Sequence, residues 1–113
     1  LEFTKGYGDK FALEADPFMA ASGADILITD TWTSMGEEAE KEERKKIFKD
    51  YQINRQLLAA ANAGAMVQHC LPAYRGQEIT EEVFEEHADE IFNEAENRLH
   101  AQKAVMVKLM KKD

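Results

Sequence analysis

The sequence predicts an α/β fold, a three-layer parallel sheet with helices on both faces, and three observations lead there. Two short apolar runs, Ile26-Leu27-Ile28-Thr29 and Ala65-Met66-Val67-Gln68-His69, are too short for helices and read as buried strands. Charge-patterned and Ala- and Leu-rich stretches of helical character separate such runs. Strands that alternate with helices pair in parallel, because a helical crossover returns the chain to the same edge. Right-handed crossovers then place helices on both faces.

The elements follow in order. Residues 1–4 read as a first strand. Asp16-Pro17 reads as an N-cap with Pro at the first helical position, opening a short helix that ends at Gly23. After the strand at 26–29, residues 36–50 carry charges in helical order. Glu37 precedes Lys41, Glu40 precedes Arg44 and Glu42 precedes Lys46, each by one helical turn and acid first, the pattern of a solvated helix face. Residues 54–63 form a second helical piece, Ala- and Leu-rich, stopping at Gly64. After the strand at 65–69, Thr80-Glu81-Glu82-Val83 opens another helix with acids in its first turn. Residues 90–92 read as a last strand and about 98–110 as a last helix. Its Leu99, Val105, Val107, Leu109 and Met110 spread widely around the axis.

Composition bounds the rest. A length of 113 residues suits one compact domain, and 44% hydrophobic residues are ordinary for a globular one. A net charge of −8 argues against a nucleic-acid partner, which needs a concentrated basic face. Lys103, Lys108, Lys111 and Lys112 sit where cations complement a helix C-terminus. The single cysteine, Cys70, allows no internal disulfide and fits a reducing cytoplasm. No apolar run approaches the roughly 18 residues of a membrane-spanning helix. Leu1-Glu2-Phe3-Thr4 lacks an initiator Met and the pattern of a signal peptide, so it is not expected to be a natural start.

In parallel sheets, ligands bind in the loops at the carboxyl ends of the strands. That rule selects residues 30–36, 70–76 and 93–98. In the first loop, Asp30 offers a carboxylate to an ammonium group, Ser34 a hydroxyl, and Gly36 a flexible backbone before a helix whose amides favour a carboxylate. A zwitterionic amino acid needs that combination; equally, Asp30 and Ser34 could simply cap the helix. In the second loop, Cys70 stands at a strand end where its sulfur could touch a reacting centre, or it is a small core residue. Leu71 precedes Pro72, which turns its backbone away from helix and its carbonyl outward. His69 alternates with Cys70 and faces the other way. The pair is a minimal metal site, but no further Cys or spaced His completes four ligands, and zinc is not expected. In the third loop, Arg98 brings a guanidinium to the same crevice, or pairs with Glu94 and Glu96.

Asp30-Thr31-Trp32-Thr33-Ser34-Met35-Gly36, then His69-Cys70-Leu71-Pro72, then Phe92-Asn93-Glu94-Ala95-Glu96-Asn97-Arg98 closely resemble three consecutive motifs of ornithine carbamoyltransferases. The resemblance runs from about Gly23 to Met110. Its specific element is the Ser-Met-Gly loop, which marks ornithine recognition within the transcarbamylase superfamily; His-Cys-Leu-Pro is shared more widely. The resemblance implies a Rossmann-like second domain lacking its first strands. It also implies transfer of the carbamoyl group of carbamoyl phosphate to the side-chain amine of ornithine, giving citrulline and phosphate with no metal or organic cofactor. By the same resemblance, Asp30 and Ser34 hold the α-amino group of ornithine and Met35 contributes its backbone. Cys70 lies beside the attacking δ-amine with Asp30 near enough to influence its proton. The Leu71 carbonyl and Arg98 contact the carbamoyl moiety, and His69 is counted with its motif in the substrate-binding set. The loop at 34–36 is the family's closing lid.

The departures set further expectations. The family's phosphate motif, Ser-Thr-Arg-Thr, belongs to a first domain that has no counterpart here, and the opening strands of the second domain are absent as well. Residues 1–22 match poorly and 23–113 are family-like. Lys5-Gly6-Tyr7 is similar to the family's Pro-Lys-Gly-Tyr turn but too near Asp30 unless a strand and helix are deleted; alternatively, residues 1–4 are the next strand and residues 5–15 an insertion. The whole of 1–113 is therefore expected to be a partial ornithine-binding domain, inactive alone, with ornithine, part of the carbamoyl phosphate site and the missing domain as partners. The family generally forms trimers. Alternatives are a transcarbamylase for another amine such as putrescine, or a non-catalytic binding or assembly fragment.

Overall fold

A computed structural model describes residues 2–33 and 40–111. Its framework is a parallel pair, β1 (Ile26–Thr29) and β2 (Met66–His69), with Ile26 opposite Met66 and Thr29 opposite His69. Helix α1 (Pro17–Ala21) precedes β1, and α2 (Lys41–Phe48) and α3 (Arg55–Ala60) form the crossover to β2. Helices α4 (Glu81–Glu86) and α5 (Ala88–Met110) follow. The α/β class and the parallel pairing hold.

Side-chain caps set the helix starts as their residue types predict. Asp16 Oδ1 accepts from the Phe18 and Met19 amides at 2.8 and 3.3 Å, and Pro17 opens the helix without an amide to satisfy. Asn54 accepts from Leu57 N–H at 2.9 Å and Thr80 from Val83 N–H at 3.4 Å. Gly23 ends the α1 turn at φ +72°, a conformation that favours glycine. On α2 the Glu40–Arg44 pair forms at 3.0 Å, whereas Glu42 turns to Lys45 rather than Lys46. Glu37, expected opposite Lys41, lies outside the described residues.

The core joins Ala21 and Leu57 of α1 and α3, Val67 of β2, Ile53 and Ile79 of the connecting segments, Val83 and Phe84 of α4 and Ile91 of α5. Ile53 N–H donates to Glu78 O at 2.9 Å and Thr80 N–H to Ile53 O at 3.0 Å, binding the start of α3 to the start of α4. Burial across the strand pair is uneven. Val67 and His69 are fully buried, while Ile26, Ile28 and Met66 are exposed on the other face.

Two expected strands are not strands. Phe3–Lys10 forms a 3-10 helix broken at Gly8 (φ 57°, ψ −127°), and Leu1 lies outside the described residues. None of its side chains is buried, so no core holds it extended beside the sheet. Residues 90–92 lie inside α5, which starts ten positions before the predicted last helix. Asp89 and Glu90 fall in its first turn, where acids suit the helix dipole, and Ile91 alone points into the core. Glu90 then serves β2 with a side chain rather than a strand: its Oε2 accepts Val67 N–H at 2.8 Å. The C-terminal half of α5 exposes Leu99, Val105, Val107, Leu109 and Met110. Lys108 sits in its last turn and Lys111 at its C-cap.

Candidate functional site

The register of β1 and β2 builds the site. Because Thr29 lies opposite His69, the next residues, Asp30 and Cys70, leave the sheet side by side at its carboxyl end. A carboxylate oxygen of Asp30, a ring nitrogen of His69 and Sγ of Cys70 all lie within 4.8 Å of one another. Asp30 also takes the Thr31 amide at 2.7 Å, which fixes one of its oxygens. Its side chain is otherwise exposed and open to a ligand.

Burial pushes the Cys70 thiol up, and the hydrogen bond and negative charge of Asp30 push it further; Arg98 pulls it down by less. At neutral pH, Cys70 is a thiol rather than a thiolate, which suits a positioning group better than a nucleophile. The donor types of the cluster are those of a metal site. His69 is poorly placed for that use, because its Nδ1 accepts Leu71 N–H at 2.9 Å and its Nε2 meets Glu78 Oε1 at 3.1 Å. With both nitrogens engaged inside the protein and no exposed surface, His69 has no atom to offer a substrate directly.

Arg98 reaches the same place by a route other than the predicted one. It stands midway along α5 rather than at a strand end, and its guanidinium Nη1 donates to the Cys70 carbonyl at 2.5 Å. The alternative ion-pair partners are used differently: Glu96 pairs with His100 at 3.0 Å, and Glu94 Oε2 is buried with no partner among the described residues. Leu71 adopts φ +56° and is followed by a cis bond to Pro72. The left-handed region costs a side-chain-bearing residue about 1–2 kcal/mol, so the loop must be held there by its neighbours.

The first and second loops each also rest on α2 at their outer ends. Trp32 stacks on Phe48 of α2 with ring centroids 6.3 Å apart, and Arg44 donates to its carbonyl at 3.4 Å. Lys41 sits over the Tyr74 ring at 5.2 Å. Ser34 and Met35, expected to meet ornithine, lie outside the described residues. Sequence reasoning missed Glu78. A lone acid in the polar stretch Arg75-Gly76-Gln77-Glu78 carries no periodic or motif signal, yet it is fully buried against His69.

Comparison with known proteins bears on the family and the fold. The family model described as aspartate/ornithine carbamoyltransferase, Asp/Orn binding domain, matches residues 2–109. An ornithine carbamoyltransferase of Nitratiruptor sp. is 54% identical over 112 residues, covering 99% of this chain and 36% of that protein. The solved anabolic ornithine carbamoyltransferase of Campylobacter jejuni superposes with a TM-score of 0.82 at 52% identity, over 86% of this chain and 32% of that one. The ornithine carbamoyltransferase of Gloeobacter violaceus gives 0.72 at 55% identity, over 85% and 30%. The chain thus spans about a third of the length of the relatives it matches.

Proposed function

The chain belongs to the aspartate/ornithine carbamoyltransferase family, within its Asp/Orn binding domain, and from that premise we propose that it forms the ornithine-binding wall of an ornithine carbamoyltransferase. The observation that carries this reading is the convergence of Asp30, Cys70 and Arg98 at the carboxyl end of one parallel strand pair. In this role, Asp30 and Ser34 hold the α-ammonium group of ornithine, with the Met35 backbone beside them. The Cys70 thiol and the Leu71 carbonyl face the δ-amine and the carbamoyl group.

The δ-nitrogen lone pair forms a bond to the carbonyl carbon of carbamoyl phosphate. The carbonyl oxygen takes up the negative charge and Arg98 stabilises it. The oxyanion re-forms the carbonyl as the C–O bond to phosphate breaks, the proton of the nitrogen passes to the departing phosphate, and citrulline and phosphate leave. Nothing in these steps needs a covalent intermediate on Cys70. The chain supplies juxtaposition and charge stabilisation, which together account for most of such a rate enhancement. The carbamoyl-phosphate-binding domain is proposed to lie outside residues 1–113, with its phosphate site, so this segment alone holds one wall of a cleft. Closed trimers of whole subunits are the proposed assembly.

The test uses a full-length enzyme carrying this segment, supplied with carbamoyl phosphate and either ornithine or putrescine. Citrulline formation with a clear preference for ornithine is expected. Faster reaction with putrescine would replace ornithine by a diamine. Failure with both would leave a binding or assembly domain. The 113-residue segment alone is expected to give no steady citrulline.

A further inference from the structure

Glu78 and His69 are both fully buried. Burying ionisable groups in so small a core is unfavourable unless their polar atoms are paired. Of the four polar side-chain atoms, all but Glu78 Oε2 are paired among the described residues, and the pairing has a direction. Glu78 Oε1 accepts Tyr74 N–H at 2.6 Å and faces His69 Nε2 at 3.1 Å. His69 Nδ1 lies 2.9 Å from the Leu71 amide nitrogen, which can only donate. Nδ1 must therefore accept, and the ring proton must sit on Nε2, pointing at Glu78.

The Leu71 N–H is one end of a peptide unit whose other end is the Cys70 carbonyl. Arg98 donates to that carbonyl at 2.5 Å. A single peptide plane is thus held at both ends, by an acceptor on β2 and a donor on α5. Leu71 on its far side has φ +56°, a conformation that would relax if either end were released. On the near side the same plane carries Cα of Cys70, and so it sets where the thiol points.

We propose that Glu78 and His69 are positioning residues that lock the Cys70–Leu71 peptide plane and thereby aim the Cys70 thiol at the δ-amine and the Leu71 carbonyl at the carbamoyl group. What is aimed at rests on the carbamoyltransferase reading; the lock itself does not. His69 touches no substrate and relays no proton to Cys70, because its one lone pair faces Leu71 N–H. Glu78 acts one step further back, keeping the ring in the accepting tautomer and the Tyr74 end of the loop in place.

The test compares His69→Asn, His69→Ala and Glu78→Gln in a full-length carbamoyltransferase carrying this segment. Asn can present Oδ1 where Nδ1 stood and so accept the Leu71 amide; Ala cannot. For His69→Ala, kcat is expected to fall about 100-fold, the scale for a misplaced reacting group, with the KM for ornithine changed less than about threefold. His69→Asn is expected to recover about tenfold of that loss, and Glu78→Gln to fall about tenfold below wild type. Equal kcat in the Asn and Ala variants would reduce His69 to a packing residue and overturn the proposal. A second readout needs neither variant nor activity. The ¹⁵N shifts of the His69 ring in the wild-type protein are expected to show an unprotonated Nδ1 and a protonated Nε2 at neutral pH, and the reverse tautomer would overturn the lock. The expected tautomer in a protein that makes no citrulline would instead retire the carbamoyltransferase reading and leave the lock standing.

Discussion

Glu90 joins α5 to the open edge of β2, and removing it should weaken that seam by a calculable amount. Its Oε2 accepts Val67 N–H at 2.8 Å and lies 2.9 Å from His87 Nδ1. Val67 is fully buried, so Glu90→Ala leaves its amide without a partner at a cost of about 1–3 kcal/mol. Losing the partly exposed His87 contact adds about 0.5–1 kcal/mol. The expected total is about 1.5–4 kcal/mol, or roughly 6–16 °C in Tm for a domain of this size. Glu90→Gln keeps a neutral acceptor for the amide and should cost about 1 kcal/mol or less. The assay is equilibrium urea unfolding of the three proteins at neutral pH. A cost for Glu90→Ala below about 0.5 kcal/mol would refute the seam. Equal costs for Ala and Gln would mean that the charge matters and the amide does not.

The same carboxylate sets a pH dependence. Burial works against its charge, but the His87 and Val67 hydrogen bonds outweigh burial and hold it below its ordinary value of 4.5. A depressed folded pKa stabilises above the unfolded value and loses that contribution as pH falls through the folded one. Wild type should therefore lose stability below about pH 4.5 more steeply than Glu90→Gln, as urea midpoints against pH would reveal. Because burial and Asp30 keep Cys70 protonated, iodoacetamide should alkylate it at pH 7 more slowly than a free thiol, and Asp30→Asn should speed the reaction. Arg98→Ala in the full-length enzyme should lower kcat about 10²–10³-fold, the usual loss for a donor to developing oxyanion charge, measured as citrulline release. Ile91→Ala should cost about 2–5 kcal/mol in urea unfolding, since Ile91 is the one fully buried side chain of α5.

Most of what positions the site was legible from local chemistry. Asp16, Asn54 and Thr80 announce helix starts because a short oxygen-bearing side chain can reach the free amides of the first turn, and each does so. The strands at 26–29 and 66–69 stand out because their apolar runs are too short for helices, although β1, expected to be buried, leaves Ile26 and Ile28 exposed. Asp30 and Cys70 follow from those strands, since their place depends only on where the strands end.

What local pattern did not reveal depends on distant partners. Ile91-Phe92 looks like the stub of a strand, but the flanking residues favour helix, and the β2 edge it would have paired with is met by Glu90 at Val67. Residues 1–4 hold too little apolar surface to make a strand, and Phe3 finds no core to receive it, being 80% exposed. Arg98 reaches the Cys70 carbonyl from within α5 rather than from a strand end. A side chain that long spans from mid-helix to the Cys70 carbonyl. Glu78 was invisible because its burial comes from the fold of the loop after β2, and nothing in its neighbours' residue types encodes that.

The most direct test of the ornithine-binding wall is the effect of Asp30→Asn on the full-length enzyme's kcat/KM for ornithine. Loss of a charge-assisted hydrogen bond to the α-ammonium group should lower it at least about tenfold, corresponding to about 1.5–3 kcal/mol. The KM for carbamoyl phosphate should stay within about threefold of wild type, because the phosphate site is elsewhere. An unchanged response to ornithine, or a loss confined to carbamoyl phosphate, would contradict the assignment of this wall to ornithine.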